Sequence, residues 1–167
     1  MSPNQPHVKG HHHKIPRNHC FGCGPENEHG MRLKFVHDAE RGAMVAHIRL
    51  DERFTGPPGH AHGGIIATIL DEAMGKVMKT YNVIALTSRM EVRYLKPVPL
   101  NQTLIAEGKP RSHRGRRYWN VGEIRNREAG GCERPSICII SGAAGRVHRG
   151  GYVLGALVRG SRNRKRA

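Results

Sequence analysis

The longest regular pattern in this sequence is an apolar helical segment that runs from about His62 to Lys79. Its apolar residues recur three or four positions apart, as they do on one face of an α-helix. Other apolar residues widen that face until little of the helix is left for water. The pattern therefore predicts a central helix that is wrapped by a sheet. The first face consists of Ile66, Ile69, Leu70, Ala73 and Val77, and it is widened by Ile65, Met74 and Met78.

Segments with the alternating pattern of half-buried strands lie on both sides of this helix. Two precede it and form a hairpin, and three follow it. The predicted fold is therefore α+β, with a curved antiparallel sheet around one long central helix. The first two segments span 31–36 and 43–50, with a turn at 38–42, and the other three span 87–95, 103–108 and 118–125, with a basic turn at 111–117.

Composition narrows the class of protein. The length of 167 residues suits one domain. No run approaches the roughly 20 apolar residues of a membrane span, and the polar first residues do not resemble a secretion signal. We therefore expect a cytoplasmic protein with no membrane partner. The net charge of +15 attracts polyanions, but only Tyr118-Trp119 adjoins a basic run, so we expect no nucleic-acid partner.

The cysteines offer little for a metal site. Cys20 and Cys23 have the spacing of half a zinc site. The other two cysteines, Cys132 and Cys138, lie six residues apart and do not supply the matching half. We therefore expect no metal, and a tight glycine-rich turn at 20–25 with reduced thiols.

The start of the predicted helix has the chemistry to bind an anion or to polarise a carbonyl. Gly63 and Gly64 leave the first backbone amides uncovered at the positive end of the helix dipole. His62, just before them, can orient this turn or a ligand. These three residues are therefore candidates for a binding site.

One stripe of the helix carries small residues around a single carboxylate, that of Asp71. A buried carboxylate is costly unless it is paired or functional, so Asp71 is either a reactive group or a cap on a neighbouring loop. Glu72 turns away from the stripe, where a solvated or salt-bridged role is usual. The stripe consists of Gly64, Ala67, Thr68, Asp71 and Gly75.

The spacing of Gly63 and Asp71 limits how they can act together. Eight residues separate them, which is about 12 Å along a helix at ~1.5 Å per residue. One helix cannot bring both to a single reacting carbonyl, where contacts of about 3 Å are needed. If both act, they come from two subunits whose antiparallel helices meet across a two-fold axis.

The segment GPPGHAHGGIIATILDEAMG, residues 56–75, resembles the motif of hotdog-fold acyl-CoA thioesterases of the PaaI-like group, in the 4-hydroxybenzoyl-CoA thioesterase superfamily. The segments CFGCG at 20–24 and MEVRYLKPVP at 90–99 resemble this family too. The resemblance implies a homodimer or a dimer of dimers that hydrolyses acyl-CoA thioesters to free acid and coenzyme A, with no cofactor beyond the substrate.

By position, the resemblance implies four catalytic residues. The Gly63 amide would polarise the thioester carbonyl next to His62. Asp71 would act as general base on water or as nucleophile, and Thr87 would orient that water. The implied substrate-binding residues are Gly64, Thr68, Glu72, Arg93 and Lys96, and the basic turn at 111–117 is a further candidate for holding the coenzyme A phosphates.

Two features depart from the family pattern. Some relatives carry Asn or Gln where this chain has Gly56, so the carbonyl donor here would be backbone alone. From Ala129 the chain turns Gly/Arg-rich where a regular last strand is expected, with 8 basic residues and 1 acidic residue in 129–167. Either a diverged strand, at 136–141 or 152–158, precedes a tail that is disordered from about Arg159, or the reading frame shifts near Ala129.

The predicted organisation is a flexible lead at 1–19, a hotdog thioesterase domain at 20–128 and the atypical segment at 129–167. The alternative function is a hotdog hydratase or a non-catalytic acyl-CoA-binding protein. Hydratases of this fold typically pair an Asp with a His in one segment, and Asp71 has no such neighbour.

Overall fold

The computed structural model describes residues 17–126 and the strand at 137–146. The chain divides into two compact units, residues 1–32 and 33–167. In the first unit, the Gly24 amide donates to the Cys20 carbonyl at 2.9 Å, which is the glycine-rich turn predicted there. The predicted strand at 152–158 and the disordered end from Arg159 lie outside the described residues.

The second unit is one antiparallel sheet with one long helix, α1, over Gly63–Val77. The predicted α+β fold is confirmed. Within the described residues, no helix has the length and apolar character needed to cross a bilayer. The strand order is β1-β2-β5-β6-β7-β3, with β4 also pairing with β7. The strands are β1 Val36–Asp38, β2 Ala43–Arg49, β3 Ala85–Arg89, β4 Val92–Tyr94, β5 Thr103–Arg114, β6 Arg117–Asn126 and β7 Ile137–Arg146.

Helix α1 packs on the sheet through its widest apolar face. Six of its side chains are buried, and the helix backbone comes close to the sheet at Gly108 of β5. A Cβ atom at Gly108 would lie 2.6 Å from the carbonyl carbon of Ala73. The absence of a side chain there therefore lets the helix backbone approach the sheet. The buried residues are Ile66, Ile69, Leu70, Ala73, Met74 and Val77.

Two predictions, one of a strand and one of a turn, were wrong. The strand expected at 31–36 begins only at Val36, and within the predicted range Arg32 has a left-handed backbone with φ of 50°, which a strand does not allow. The basic turn expected at 111–117 is mostly strand, since β5 continues to Arg114 and β6 begins at Arg117. The turn needs only two residues, and Gly115 supplies its positive φ of 57°.

The strand predicted at 87–95 is divided into β3 and β4. Both pair with β7, but the register of β3 shifts between Thr87 and Arg89, and β4 starts only at Val92. The alternating sequence pattern cannot reveal this break, because the residues on both sides of it keep a strand-like composition.

Strand β7 is an interior strand of the sheet. It pairs with β6 over Arg117–Ile124 on one side and with β3 and β4 on the other. A strand was predicted at 136–141 or 152–158, as a substitute for the regular last strand that would pair with the strand at 118–125. The observed strand is longer and is an interior strand, which joins β3 to the rest of the sheet.

The contact between Gly108 and Ala73 gives a test of the fold. Gly108→Ala should lower the free energy of unfolding by about 1–3 kcal/mol or more, because the new methyl group overlaps the helix backbone. Gly75→Ala is the matched control within one subunit: a Cβ there meets nothing of its own chain within 4 Å, so the folded subunit should gain about 0.5–1 kcal/mol. Urea unfolding measures both, and equal stabilities would contradict the close approach.

Candidate active site

Helix α1 begins at a His-Gly-Gly turn whose two glycine amides are used unequally. The Nδ1 atom of His62 accepts the Gly64 N–H at 3.0 Å, so this side chain caps the helix. The Gly63 N–H has no acceptor among the described residues. Because Nδ1 is an acceptor, the neutral imidazole carries its proton on Nε2. Of the two amides, only that of Gly63 is therefore left available for a ligand.

The loop before the helix holds this turn through its backbone. The His62 N–H donates to the Phe54 carbonyl at 2.8 Å, and the Ala61 N–H donates to the Val98 carbonyl at 2.8 Å. A Cβ at Gly56 would lie only 2.7 Å from the Cα of His62. No side chain fits at position 56 without moving the turn. The lack of an Asn or Gln there is thus a packing requirement of this loop.

Tyr94 connects strand β4 to the start of the helix. Its hydroxyl donates to the Gly63 carbonyl at 2.9 Å. Its ring borders a cavity of about 370 Å³ that also includes Gly63 in its wall. The lining is mainly apolar, with Ile66 and Val98 among its side chains, and Lys96 is part of it. The structure therefore places a predicted binding residue, Lys96, on the cavity next to the Gly63 amide.

Asp71 lies two turns further along α1 and meets Thr87 of β3. The Thr87 hydroxyl donates to Asp71 Oδ1 at 2.6 Å, and Oδ2 has no partner among the described residues. Because its only proton is used on the carboxylate, the Thr87 oxygen can only accept a further hydrogen bond. The register shift after Thr87 resembles the bulges that often re-aim side chains beside active sites. The pair can thus accept both protons of one water molecule.

The small-residue stripe of α1 is the face that the sheet leaves partly uncovered. Gly64 and Gly75 are exposed, and Asp71 is half-buried. The polar groups of two other predicted binding residues are bonded within the helix. The Thr68 hydroxyl donates to the Gly64 carbonyl at 3.0 Å, and Glu72 pairs with Lys76 at 3.1 Å, as the salt-bridge alternative anticipated.

The remaining basic candidates are exposed, and those at 111–117 lie apart from this turn. Arg93 is exposed on β4. The basic residues of 111–117 are exposed around the β5–β6 turn, where the His113 ring lies 5.7 Å from that of Tyr81, just beyond the C-terminal end of α1. The 15-residue helix, about 22 Å long, separates that end from Gly63. Within one chain the basic residues of 111–117 therefore do not gather around the Gly63 amide.

The sequence reasoning missed Tyr94 as a part of the site. Its sequence pattern placed it only within the strand predicted at 87–95. A weak signal existed, because Tyr94 stands two residues before Lys96 in a segment that the family resemblance had already marked. Its hydrogen bond spans 31 residues, and local periodicity carries no information about such a contact.

The antiparallel sheet with one central helix, a glycine turn at the helix start and a carboxylate on the partly uncovered helix face has the hotdog fold. Residues 58–128 match the family model described as the thioesterase superfamily. This match covers less than half of the chain, and it agrees with the resemblance seen in the sequence.

Curated relatives match part of the chain. The acyl-coenzyme A thioesterase THEM4 of Xenopus laevis is 32% identical over 94 residues, which are 56% of this chain and 42% of that protein. The THEM4 of Mus musculus is 36% identical over 64 residues, 38% of this chain and 27% of that protein. The chain thus spans less than half the length of these relatives.

Solved structures have the same fold. A thioesterase superfamily protein superposes with a TM-score of 0.67 at 28% identity, covering 76% of this chain and 62% of that one. A thioesterase protein of Streptococcus pneumoniae TIGR4, solved with coenzyme A, superposes with a TM-score of 0.58 at 21% identity, covering 68% and 86%.

The capping role of His62 can be tested by stability. His62→Ala should lower the free energy of unfolding by about 0.5–2 kcal/mol, because the Gly64 amide loses its acceptor. His62→Asn should stay close to the parent, since Asn is a favourable N-cap residue. Chemical denaturation of the two variants measures the difference. Equal stability of the Ala and Asn variants would contradict the cap.

Proposed function

We propose that this chain hydrolyses acyl-CoA thioesters to free acid and coenzyme A, in a homodimer whose two active sites are shared between subunits. The observation that carries the proposal is the 2.6 Å hydrogen bond from Thr87 to Asp71. It joins a helix carboxylate to a strand hydroxyl on the partly open face of α1, with one carboxylate oxygen left for water. The hydrolysis named for the THEM4 relatives supports the same reaction.

The chemistry needs one base and one donor to the carbonyl oxygen. Asp71 Oδ2 takes a proton from a water molecule that Thr87 also orients, and the water oxygen attacks the thioester carbon. The carbonyl oxygen becomes an oxyanion that the Gly63 N–H stabilises. The C–S bond then breaks, and the proton held by Asp71 passes to the leaving thiolate. The products are the free acid and coenzyme A.

The partner residue of Asp71 favours hydrolysis over hydration. In the described part of the chain, Asp71 is bonded to Thr87 and not to a histidine. A hydroxyl that accepts from water orients a nucleophile, whereas a hydratase of this fold is expected to use an Asp–His pair. Oriented water next to a carboxylate base is the arrangement that ester and thioester hydrolysis requires.

A second copy of the chain would complete the site. Gly63 and Asp71 remain about 12 Å apart along α1, so one helix cannot supply both contacts. The partly uncovered stripe of small residues allows close approach of a second helix. Strand β3 pairs only with β7 among the described strands, and its neighbourhood exposes apolar Ile84 (69%) and Leu86 (54%). These surfaces suit a two-fold contact in which antiparallel helices bring Gly63 towards the partner's carboxylate.

The same arrangement gives the remaining basic residues a role. In an antiparallel helix pair, the basic residues 111–117 lie towards the helix start of the other subunit. With Arg93 and Lys96 they would then attract the phosphates of coenzyme A, the molecule found with the related thioesterase of Streptococcus pneumoniae. A cytoplasmic location remains a prediction from the sequence.

Removal of the carboxylate tests the base. Asp71→Asn should preserve folding and lower turnover of acyl-CoA by at least ~10²-fold, the usual scale for a lost general base. Binding of substrate should persist, because the amide side chain has the same shape. A panel of acyl-CoAs with a free-thiol readout measures this. Near-normal turnover in Asp71→Asn, with loss in Glu72→Gln, would transfer the role to Glu72.

Removal of one backbone donor tests the oxyanion contact. Gly63 is the first residue of the helix, where proline is favoured, and His62 before it has φ −64° and ψ 137°, which proline tolerates. Gly63→Pro therefore deletes the N–H with little strain and should lower kcat by about 10²–10³-fold. Gly63→Ala keeps the N–H, and its Cβ would meet Tyr94 at an ordinary 3.6 Å, so it should retain most activity.

Mixing these two defects tests the shared site. Subunits with Asp71→Asn and subunits with Gly63→Pro should regain activity when unfolded and refolded together. Half of the sites in each mixed dimer then have an intact pair, so random assembly restores about a quarter of parental turnover. Failure of the mixture to exceed either variant alone, or a fully active monomer, would rule out sharing.

A further inference from the structure

A hydrogen bond joins Tyr94 to the start of helix α1. Its hydroxyl donates to the Gly63 carbonyl at 2.9 Å, and its Cζ atom would lie 3.6 Å from a Cβ at Gly63. The side chain is 54% exposed, so its hydroxyl could have been satisfied by water at no cost. It instead binds the one peptide that lies directly beside the proposed carbonyl donor.

This contact completes a clamp on a single peptide unit. The unit between Gly63 and Gly64 is held at its carbonyl by Tyr94 and at its N–H by His62 Nδ1, at 3.0 Å. Two consecutive glycines have the largest backbone freedom of any pair of residues. When this peptide unit is held at its carbonyl and at its N–H, the two glycines lose that freedom. The preceding peptide, which carries the Gly63 N–H, is then fixed as well.

The ring of Tyr94 has a separate place in the same site. It lines the cavity of about 370 Å³ together with Gly63, Ile66 and Val98. A thioester whose carbonyl oxygen accepts from Gly63 would direct one of its two arms into this mainly apolar space. The hydroxyl and the ring therefore contact different parts of the site, and their effects are separable.

We propose that Tyr94 is a positioning residue of the thioester site: its hydroxyl aims the Gly63 amide at the developing oxyanion, and its ring forms the wall that one arm of the substrate contacts. This inference rests on the proposed function. The negative charge on the carbonyl oxygen develops only during the reaction. A poorly oriented Gly63 N–H therefore lowers kcat. A cavity wall contacts the bound substrate before and during reaction, so its loss raises KM.

Two substitutions at Tyr94 separate these roles. Tyr94→Phe should lower kcat by about 3–10-fold, the scale of one neutral hydrogen bond, with KM almost unchanged. Tyr94→Leu should lower kcat similarly and also raise KM. Tyr81→Phe is the matched control, because Tyr81 packs against His113 and Tyr118 beyond the other end of the helix; its kinetics should equal those of the parent.

A double substitution distinguishes positioning from a general effect on folding. In the Gly63→Pro background there is no amide left to aim, so adding Tyr94→Phe should not lower kcat further. Multiplying losses, or a parental kcat in Tyr94→Phe, would overturn the inference while leaving hydrolysis by the parent intact. Absence of acyl-CoA hydrolysis in the parent itself would instead remove the proposed function and this inference together.

Discussion

Six side chains of helix α1 are buried against the sheet, and this packing determines where the rest of the site can lie. Five of them are apolar residues larger than alanine, and all six lie on one face of the helix. The close approach at Gly108 holds the helix backbone directly on β5. The stripe of small residues lies on another face of the helix, which remains partly open. Asp71 lies on that face, so a carboxylate is held half-buried without being enclosed in the core.

The sheet order brings Asp71 its partner. Thr87 lies on β3, which is joined to the sheet through β7 and not through its neighbours in sequence. The Asp71–Thr87 contact therefore depends on a strand that forms some 50 residues later in the chain, at Ile137–Arg146. A pairing of such long range is costly in chain entropy. The geometry of the proposed base thus depends on the closure of the whole sheet.

At the start of α1, a flexible glycine backbone is held in place by residues from other segments. Gly63 and Gly64 permit close approach of a ligand to the backbone, but glycine alone would leave the amide direction undefined. His62 from within the turn and Tyr94 from β4 fix the peptide between them. Gly56, packed against His62, fixes the loop that enters the turn. A flexible motif becomes a defined donor because three separate segments converge on it.

The sequence by itself determined the class of fold, the long helix and the residues at its start. These features depend on residues that are close together in the sequence. The 3.6-residue period, the glycine pair and the single carboxylate on the small stripe can all be recognised without knowledge of any distant contact. The pairing of Asp71 with Thr87, the break between β3 and β4, the interior place of β7 and the contact of Tyr94 with Gly63 were decided only by tertiary structure. The contacts and pairings involved join segments that are 16 to 50 or more residues apart. The alternation of apolar residues within a strand does not specify which strand becomes its neighbour.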